Sequence, residues 1–162
     1  IRLDEAVSEE ISWVAIHDAA RPCVTSDLID RVFRTAQRTG AAIPTVPVAA
    51  TLKRVRRKSA LSASETRPDV ASDISDVEWI HETISREDLR EAQTPQVFER
   101  RRLAELYGEL DRRFPSGRIP TDDAQIFERS GIPVAMVPGS PLNLKITTRD
   151  DLCLAEAILR LR

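Results

Sequence analysis

The stretch WVAIHDAARP, Trp13 to Pro22, runs apolar for four residues, meets an acid at Asp18 and carries an arginine three residues later. A short continuous apolar segment such as Trp13 to Ile16 suits a strand buried on both faces of a parallel sheet. In open α/β sheets, ligands occupy the crevice outside the carboxyl ends of the strands, so His17, Asp18 and Arg21 stand where chemistry is expected. The stretch reads as the edge of a site.

Working outward, Leu28, Ile29, Val32, Phe33 and Ala36 recur at helical spacing, with Thr25 or Ser26 as N-cap and Gly40 as stop. Ala41 to Val48 then reads as a second strand, made irregular by Pro44 and Pro47. Strand, helix and strand assemble naturally as a β-α-β unit, and the fold class is α/β. Further along, Leu103, Leu106, Tyr107 and Leu110 mark an amphipathic helix. Ala124 to Arg129 marks a short helix capped by Thr121 and stopped by Gly131, and Ile132 to Pro138 another strand. Thr148 with Asp151 forms a capping box ahead of a last helix carrying Leu152, Ala155, Ile158 and Leu159.

Between these elements the chain changes character. LKRVRRK carries five basic residues between Lys53 and Lys58, and Ser59 to Glu78 is rich in Ser, Ala and Asp, with too little apolar surface for its own core. This segment reads as an arm or long loop leaving the domain, with order resuming in a returning strand from Trp79 to Ser85. The opening, IRLDEAVSEEIS, begins without methionine and reads as a helix entered from something earlier, so a preceding segment is expected.

At 162 residues with 41% hydrophobic and 4% aromatic side chains, the chain has the makings of one globular domain with an aliphatic core. A formal charge of −2 gives no global reason to expect nucleic acid or an anionic membrane as partner. The basic run lacks interleaved aromatics for base stacking. No apolar run approaches the ~20 residues that span a bilayer. Cys23 and Cys153 are the only cysteines and read as two buried free thiols, with a cytoplasmic location as the default.

Phosphate chemistry needs cations, backbone donors and commonly a carboxylate to hold Mg²⁺. Asp18 at a strand end suits bridging a metal to phosphate oxygens, and Arg21 suits a bidentate phosphate clamp. Equally, Asp18 could cap the turn and pair with Arg21. In NLKIT, Asn143, Lys145 and Thr147 alternate on one face of a strand-like segment, and Lys145 reads either as a site cation or as a surface lysine. QTPQ (Gln93 to Gln96) and TDDA (Thr121 to Ala124) supply hydroxyls and carboxylates in loops, or simply a turn and a helix N-terminus. His17 and His81 lack a second histidine at ligand spacing and read as structural. The five glycines form no GxGxxG or Walker-type loop.

Taken in order, HDAARP, ATLK, the Arg86 to Gln96 segment, TDDA and NLKIT resemble the 2-C-methyl-D-erythritol 4-phosphate cytidylyltransferases over nearly the whole chain. The resemblance implies a Rossmann-like nucleotidyltransferase domain with a mostly parallel sheet and a projecting dimerisation arm at about 52–85. In that reading residues 1–162 form a single domain lacking its N-terminal part, and the family's glycine-rich CTP loop would lie ahead of Ile1. It implies CTP and methylerythritol phosphate as substrates, Mg²⁺ as cofactor, a cytoplasmic homodimer, and neither nucleic acid nor membrane as partner. Asp18 would meet metal and nucleotide beside Ala19. Arg21, Thr51, Thr94 and Thr121 would bind substrate, and Arg86 and Lys145 would be catalytic, Arg86 reaching the neighbouring subunit's site. Ala50 stands where the family usually has an acid, Arg90 where it often has tryptophan, and the arm is longer than usual. A polyol-phosphate enzyme of the ribitol 5-phosphate type, and an inactive fragment or dimerisation module, are the alternatives.

Overall fold

The computed structural model describes residues 10–56, 78–110 and 120–162. They fall into two compact units, one of Ile1–Val46 with Glu91–Arg162 and one of Pro47–Arg90. The expected opening helix up to Glu9, Arg57 and Lys58 of the basic run, and the segment from Ser59 as far as residue 77 lie outside the described residues.

In the first unit, β1 (Trp13–Ile16), α1 (Ser26–Thr39), β2 (Ala41–Pro47), β5 (Arg90–Ala92), β6 (Gln96–Glu99), α2 (Arg100–Gly108), α3 (Ala124–Arg129), β7 (Ala135–Pro138) and α4 (Arg149–Arg160) follow in chain order. The second unit holds β3 (Leu52–Arg56) and β4 (Trp79–Ile84). The larger sheet runs β1-β6-β2-β5, with β7 on β2. Strand β6 is antiparallel to both β1 and β2, while β2 and β7 are parallel, so β1, β2 and β7 share one direction and β6 runs against them. The β1-α1-β2 unit is therefore a parallel crossover that leaves room for β6 between its strands.

Helix α1 begins and ends where its sequence specifies. The Thr25 side chain accepts from the Leu28 N–H, and Gly40 closes the helix at φ 88°, a left-handed conformation that glycine adopts without steric cost. Leu28, Val32 and Ala36 face inward at helical spacing and pack with Ala42, Val97 and Val137 on one side of the sheet. The other side carries Ala41, Ile43 and Phe98 against α2 and α3. The alternation of Val97 and Phe98, and of Ala42 with Ala41 and Ile43, sends successive side chains to opposite faces, giving an α/β/α layering. Phe98 stacks on Phe127 with centroids 4.6 Å apart.

Several expectations need correction. β1 is only half-buried, because its one partner among the described residues is β6. The β3 segment, expected as part of an arm or long loop with order resuming only at Trp79, is itself a strand paired with β4 in antiparallel register, Leu52 opposite Ile84, with an irregularity after Arg54. The α3 helix is not capped by Thr121; its N-cap is Asp123, and the Asp122 carboxylate accepts the Gln125 N–H at 3.0 Å. Residues 143–147 form no strand: Asn143 is buried in the turn while Lys145 and Thr147 are exposed, so the expected common face is absent. Cys23 is buried, with its thiol directed at the Ala155 carbonyl, but Cys153 is exposed. Among the described residues no helix is long and apolar enough to cross a membrane.

Candidate active site

The end of β1 turns sharply, with the Arg21 N–H donating to the Asp18 carbonyl at 3.0 Å. This folds the Arg21 side chain back onto its own turn, where Nε meets Asp18 Oδ2 at 3.2 Å and Nη1 donates to the Asn143 carbonyl at 2.8 Å. The loop after β7 is drawn in by the Ile146 N–H donating to the Ala20 carbonyl at 2.8 Å. That bond delivers Lys145, whose Nζ lies 3.2 Å from the same Asp18 Oδ2. Asp18 and Arg21 thus pair within a turn, as the structural reading of them has it, and both line a cavity.

The cavity encloses about 300 Å³ and is lined by Asp18, Arg21, Thr94, Gln96, Thr121 and Lys145, among others. Partial burial pushes the Asp18 carboxyl up, but the hydrogen bonds and charges of Lys145 and Arg21 together hold it below its ordinary value. Two cations around one carboxylate leave this part of the lining net positive, suited to a phosphate. The Thr121 to Asp123 part is acidic. Asp123 accepts the Tyr107 hydroxyl, and burial followed by the neighbouring Asp122 charge raises its carboxyl even against that bond.

Thr94 sits between β5 and β6, preceding a cis bond to Pro95. Its Oγ1 accepts the Asp18 N–H at 3.0 Å and lies 2.9 Å from His17 Nδ1. The His17 Nε2 faces the Arg21 carbonyl at 3.1 Å, an acceptor, so Nε2 carries the proton and in the neutral ring Nδ1 accepts from Thr94. His17 therefore has the structural role read for it, fixing the hydroxyl rotor of Thr94.

Of the expected site residues, Asp18, Arg21, Thr94, Thr121 and Lys145 line this cavity. Ala19 lies in the β1 turn, exposed and outside the lining. Thr51 and Arg86 belong to the second unit, where the Arg86 guanidinium donates to the Ala49 carbonyl and so stands beside the segment entering β3. Sequence reasoning missed the roles of Gln93 and Gln96, which were read only as loop residues. Both are buried and both bind loops far along the chain.

A crossover sheet whose strand ends carry a cavity with a cationic and an acidic part is the architecture of a Rossmann-like nucleotidyltransferase domain. The chain belongs to the 2-C-methyl-D-erythritol 4-phosphate cytidylyltransferase family, whose profile matches residues 3–161. It is 41% identical over 156 residues to the enzyme of that name from Syntrophus aciditrophicus, covering 96% of this chain and 57% of the relative. The corresponding protein of Rhodopirellula baltica is 43% identical over 146 residues, covering 90% of this chain and 49% of the relative. The crystal structure of the Thermus thermophilus cytidylyltransferase superposes with a TM-score of 0.73 at 36% identity, over 96% of this chain and 64% of that one. The chain thus spans about half to three fifths of the length of these curated relatives.

Proposed function

We propose that this chain carries the polyol-phosphate side of a cytidylyltransferase site, joining CTP to 2-C-methyl-D-erythritol 4-phosphate with release of pyrophosphate. The observation that carries the reading is the convergence of Arg21 and Lys145 on Asp18 within one cavity that Thr94 and Thr121 also line. Family membership and the names of the relatives support the choice of substrates.

In this reading a phosphate oxygen of methylerythritol phosphate attacks the α-phosphorus of CTP, the bond from that phosphorus to the bridging oxygen breaks, and pyrophosphate leaves in line. The attacking phosphate is already ionised, so no general base is required, and catalysis is positioning plus charge stabilisation. Lys145 and Arg21 hold the attacking phosphate, Thr94 and Thr121 stand at the cavity wall, and Thr51 and Arg86 serve the site from the hairpin unit, Arg86 acting on the neighbouring subunit. Ala19 lies beside the nucleotide.

Mg²⁺ characteristically takes one or two carboxylates together with substrate phosphate oxygens rather than an all-protein cage. Asp18, a carboxylate lining the cavity proposed here to take phosphate, fits the single-carboxylate arrangement. Asp18 is the residue that would hold the ion, which when bound would neutralise charge on the nucleotide phosphates. A homodimer through the hairpin is supported by Val55 and Ile80, apolar yet 47% and 65% exposed on paired strands. The cytoplasm is the location consistent with these substrates.

The test is pyrophosphate release from CTP and Mg²⁺ by the full gene product, with methylerythritol phosphate or ribitol 5-phosphate as acceptor. Release with methylerythritol phosphate alone is the expected result. Silence with methylerythritol phosphate from folded protein overturns the reading.

A further inference from the structure

Gln93 and Gln96 flank the cis Thr94–Pro95 bond, are 5% and 2% exposed, and each spends both ends of its amide on a separate loop. Gln93 Nε2 donates to the Ser140 carbonyl at 2.8 Å and its Oε1 accepts the Ser140 N–H at 3.2 Å, which fixes the loop leading to Lys145. Gln96 Nε2 donates to Asp122 Oδ2 at 2.9 Å and its Oε1 accepts the Ala124 N–H at 3.1 Å, which fixes the Thr121 to Ala124 loop. One strand junction therefore sets the positions of both the cationic and the acidic parts of the cavity.

The two parts suit different chemistry. A phosphate is drawn to the net positive Asp18, Arg21 and Lys145 group and repelled by carboxylates, whereas a carboxylate or a threonine hydroxyl can accept hydrogen bonds from the O–H groups of a polyol. Asp122 accepts the Gln96 amide at Oδ2 and the Gln125 N–H at Oδ1, so its carboxylate is held in place from both oxygens. Its neighbours Thr121 and Asp123 line the cavity on the loop that this pair of bonds holds.

We infer that the buried Gln96–Asp122 hydrogen bond is a positioning device for a hydroxyl-reading wall formed by Thr121 and Asp123, and that it sets selectivity for a phosphorylated polyol over bare phosphate. The inference rests on the proposed function, of which it specifies the polyol end. Neither Gln96 nor Asp122 is a catalytic residue; both act through the loop.

The polarity of the bond provides the test. Gln96→Glu sets two carboxylates against each other. Asp122→Asn sets two amide donors against each other while its Oδ1 keeps the Gln125 N–H. The double variant restores the bond in reverse, with the new amide at position 122 donating to the new carboxylate at position 96. Binding of methylerythritol phosphate and of inorganic phosphate is titrated calorimetrically for the full gene product and the three variants. Each single variant is expected to bind methylerythritol phosphate about tenfold more weakly with inorganic phosphate affinity within about twofold, and the double variant to recover most of the loss. If Gln96→Glu does not fold, Asp122→Asn and the double variant decide the matter. Equal loss of both ligands, no loss of either, or no recovery in the double variant overturns the positioning role. Wild-type protein that binds inorganic phosphate but not methylerythritol phosphate overturns the proposed function, and the inference with it.

Discussion

Arg21 Nε and Lys145 Nζ both reach a single oxygen of Asp18, Oδ2, each at 3.2 Å. Asp18 is thus the counter-ion that allows two cations from distant parts of the chain to share one cavity. The three groups are 32%, 12% and 47% exposed for Asp18, Arg21 and Lys145, so solvent screens the attraction and the net contribution is modest.

Replacing Asp18 with Asn should cost about 1 kcal/mol of stability near neutral pH, read from chemical denaturation. Because the folded carboxyl lies below its ordinary value of 3.8, the stabilisation is present above that value and fades as pH falls through the lower folded one. Two measurements follow from this sign. The Asp18 carboxyl carbon should titrate below 3.8 by NMR and move upward in Lys145→Met, and the acid limb of the stability curve should flatten in Asp18→Asn. An Asp18 signal that titrates at its ordinary value in both proteins would contradict the assignment.

Arg21 does more than neutralise charge, because its fork also holds the Asn143 carbonyl at 2.8 Å. Lysine keeps the charge but lacks the planar fork, so it cannot meet Asp18 and Asn143 with the same geometry. Arg21→Lys should lose about 1–3 kcal/mol of stability and weaken inorganic phosphate binding, despite conserving charge. Wild-type behaviour in both measurements would reduce Arg21 to a point charge.

The elements legible in the sequence are those fixed by local chemistry. α1 is readable from Thr25 to Gly40 because cap, apolar stripe and stop all lie within one segment, and the Thr148–Asp151 capping box likewise. β6 is not, although it lies between β1 and β2 in the sheet. Gln96 and Glu99 bracket Val97 and Phe98, which point to opposite faces, so four residues bury two apolar side chains without showing a period of two. The site divides in the same way. Asp18 and Arg21 announce themselves at a strand end, but Lys145 reaches Asp18 only through the Ile146–Ala20 backbone bond, and the amides of Gln93 and Gln96 find partners that no local pattern records.

Gly139 is required for space rather than for its dihedral angles. A Cβ there would lie 2.5 Å from Gln93 Oε1 and 3.1 Å from the Thr45 carbonyl oxygen. The Gln93 amide would have to move, releasing the Ser140 bonds, while the rigid β2 backbone offers no relief. Gly139→Ala should therefore destabilise the domain by about 1–3 kcal/mol and weaken phosphate binding through Lys145. Gln93→Ala in the same background relieves the clash, so the two substitutions should be less than additive in denaturation experiments.

The start of α4 provides a pH-dependent local contact independent of the cavity. Asp151 Oδ2 accepts the Thr147 hydroxyl at 2.7 Å and the Thr147 and Thr148 N–H groups at 2.9 and 2.8 Å. Led by the Thr147 hydroxyl bond, these contacts lower the carboxyl from 3.8 to about 2. A carboxyl depressed on folding stabilises the native state above its unfolded value and loses that effect as pH falls through the folded one, so the box should weaken between about pH 4 and pH 2. The protection of the Thr147 and Thr148 amides, taken relative to their intrinsic exchange at each pH, should fall across that window in wild-type protein. In Asp151→Ala that protection should be low throughout, with no inflection, because the acceptor that holds both N–H groups has been removed.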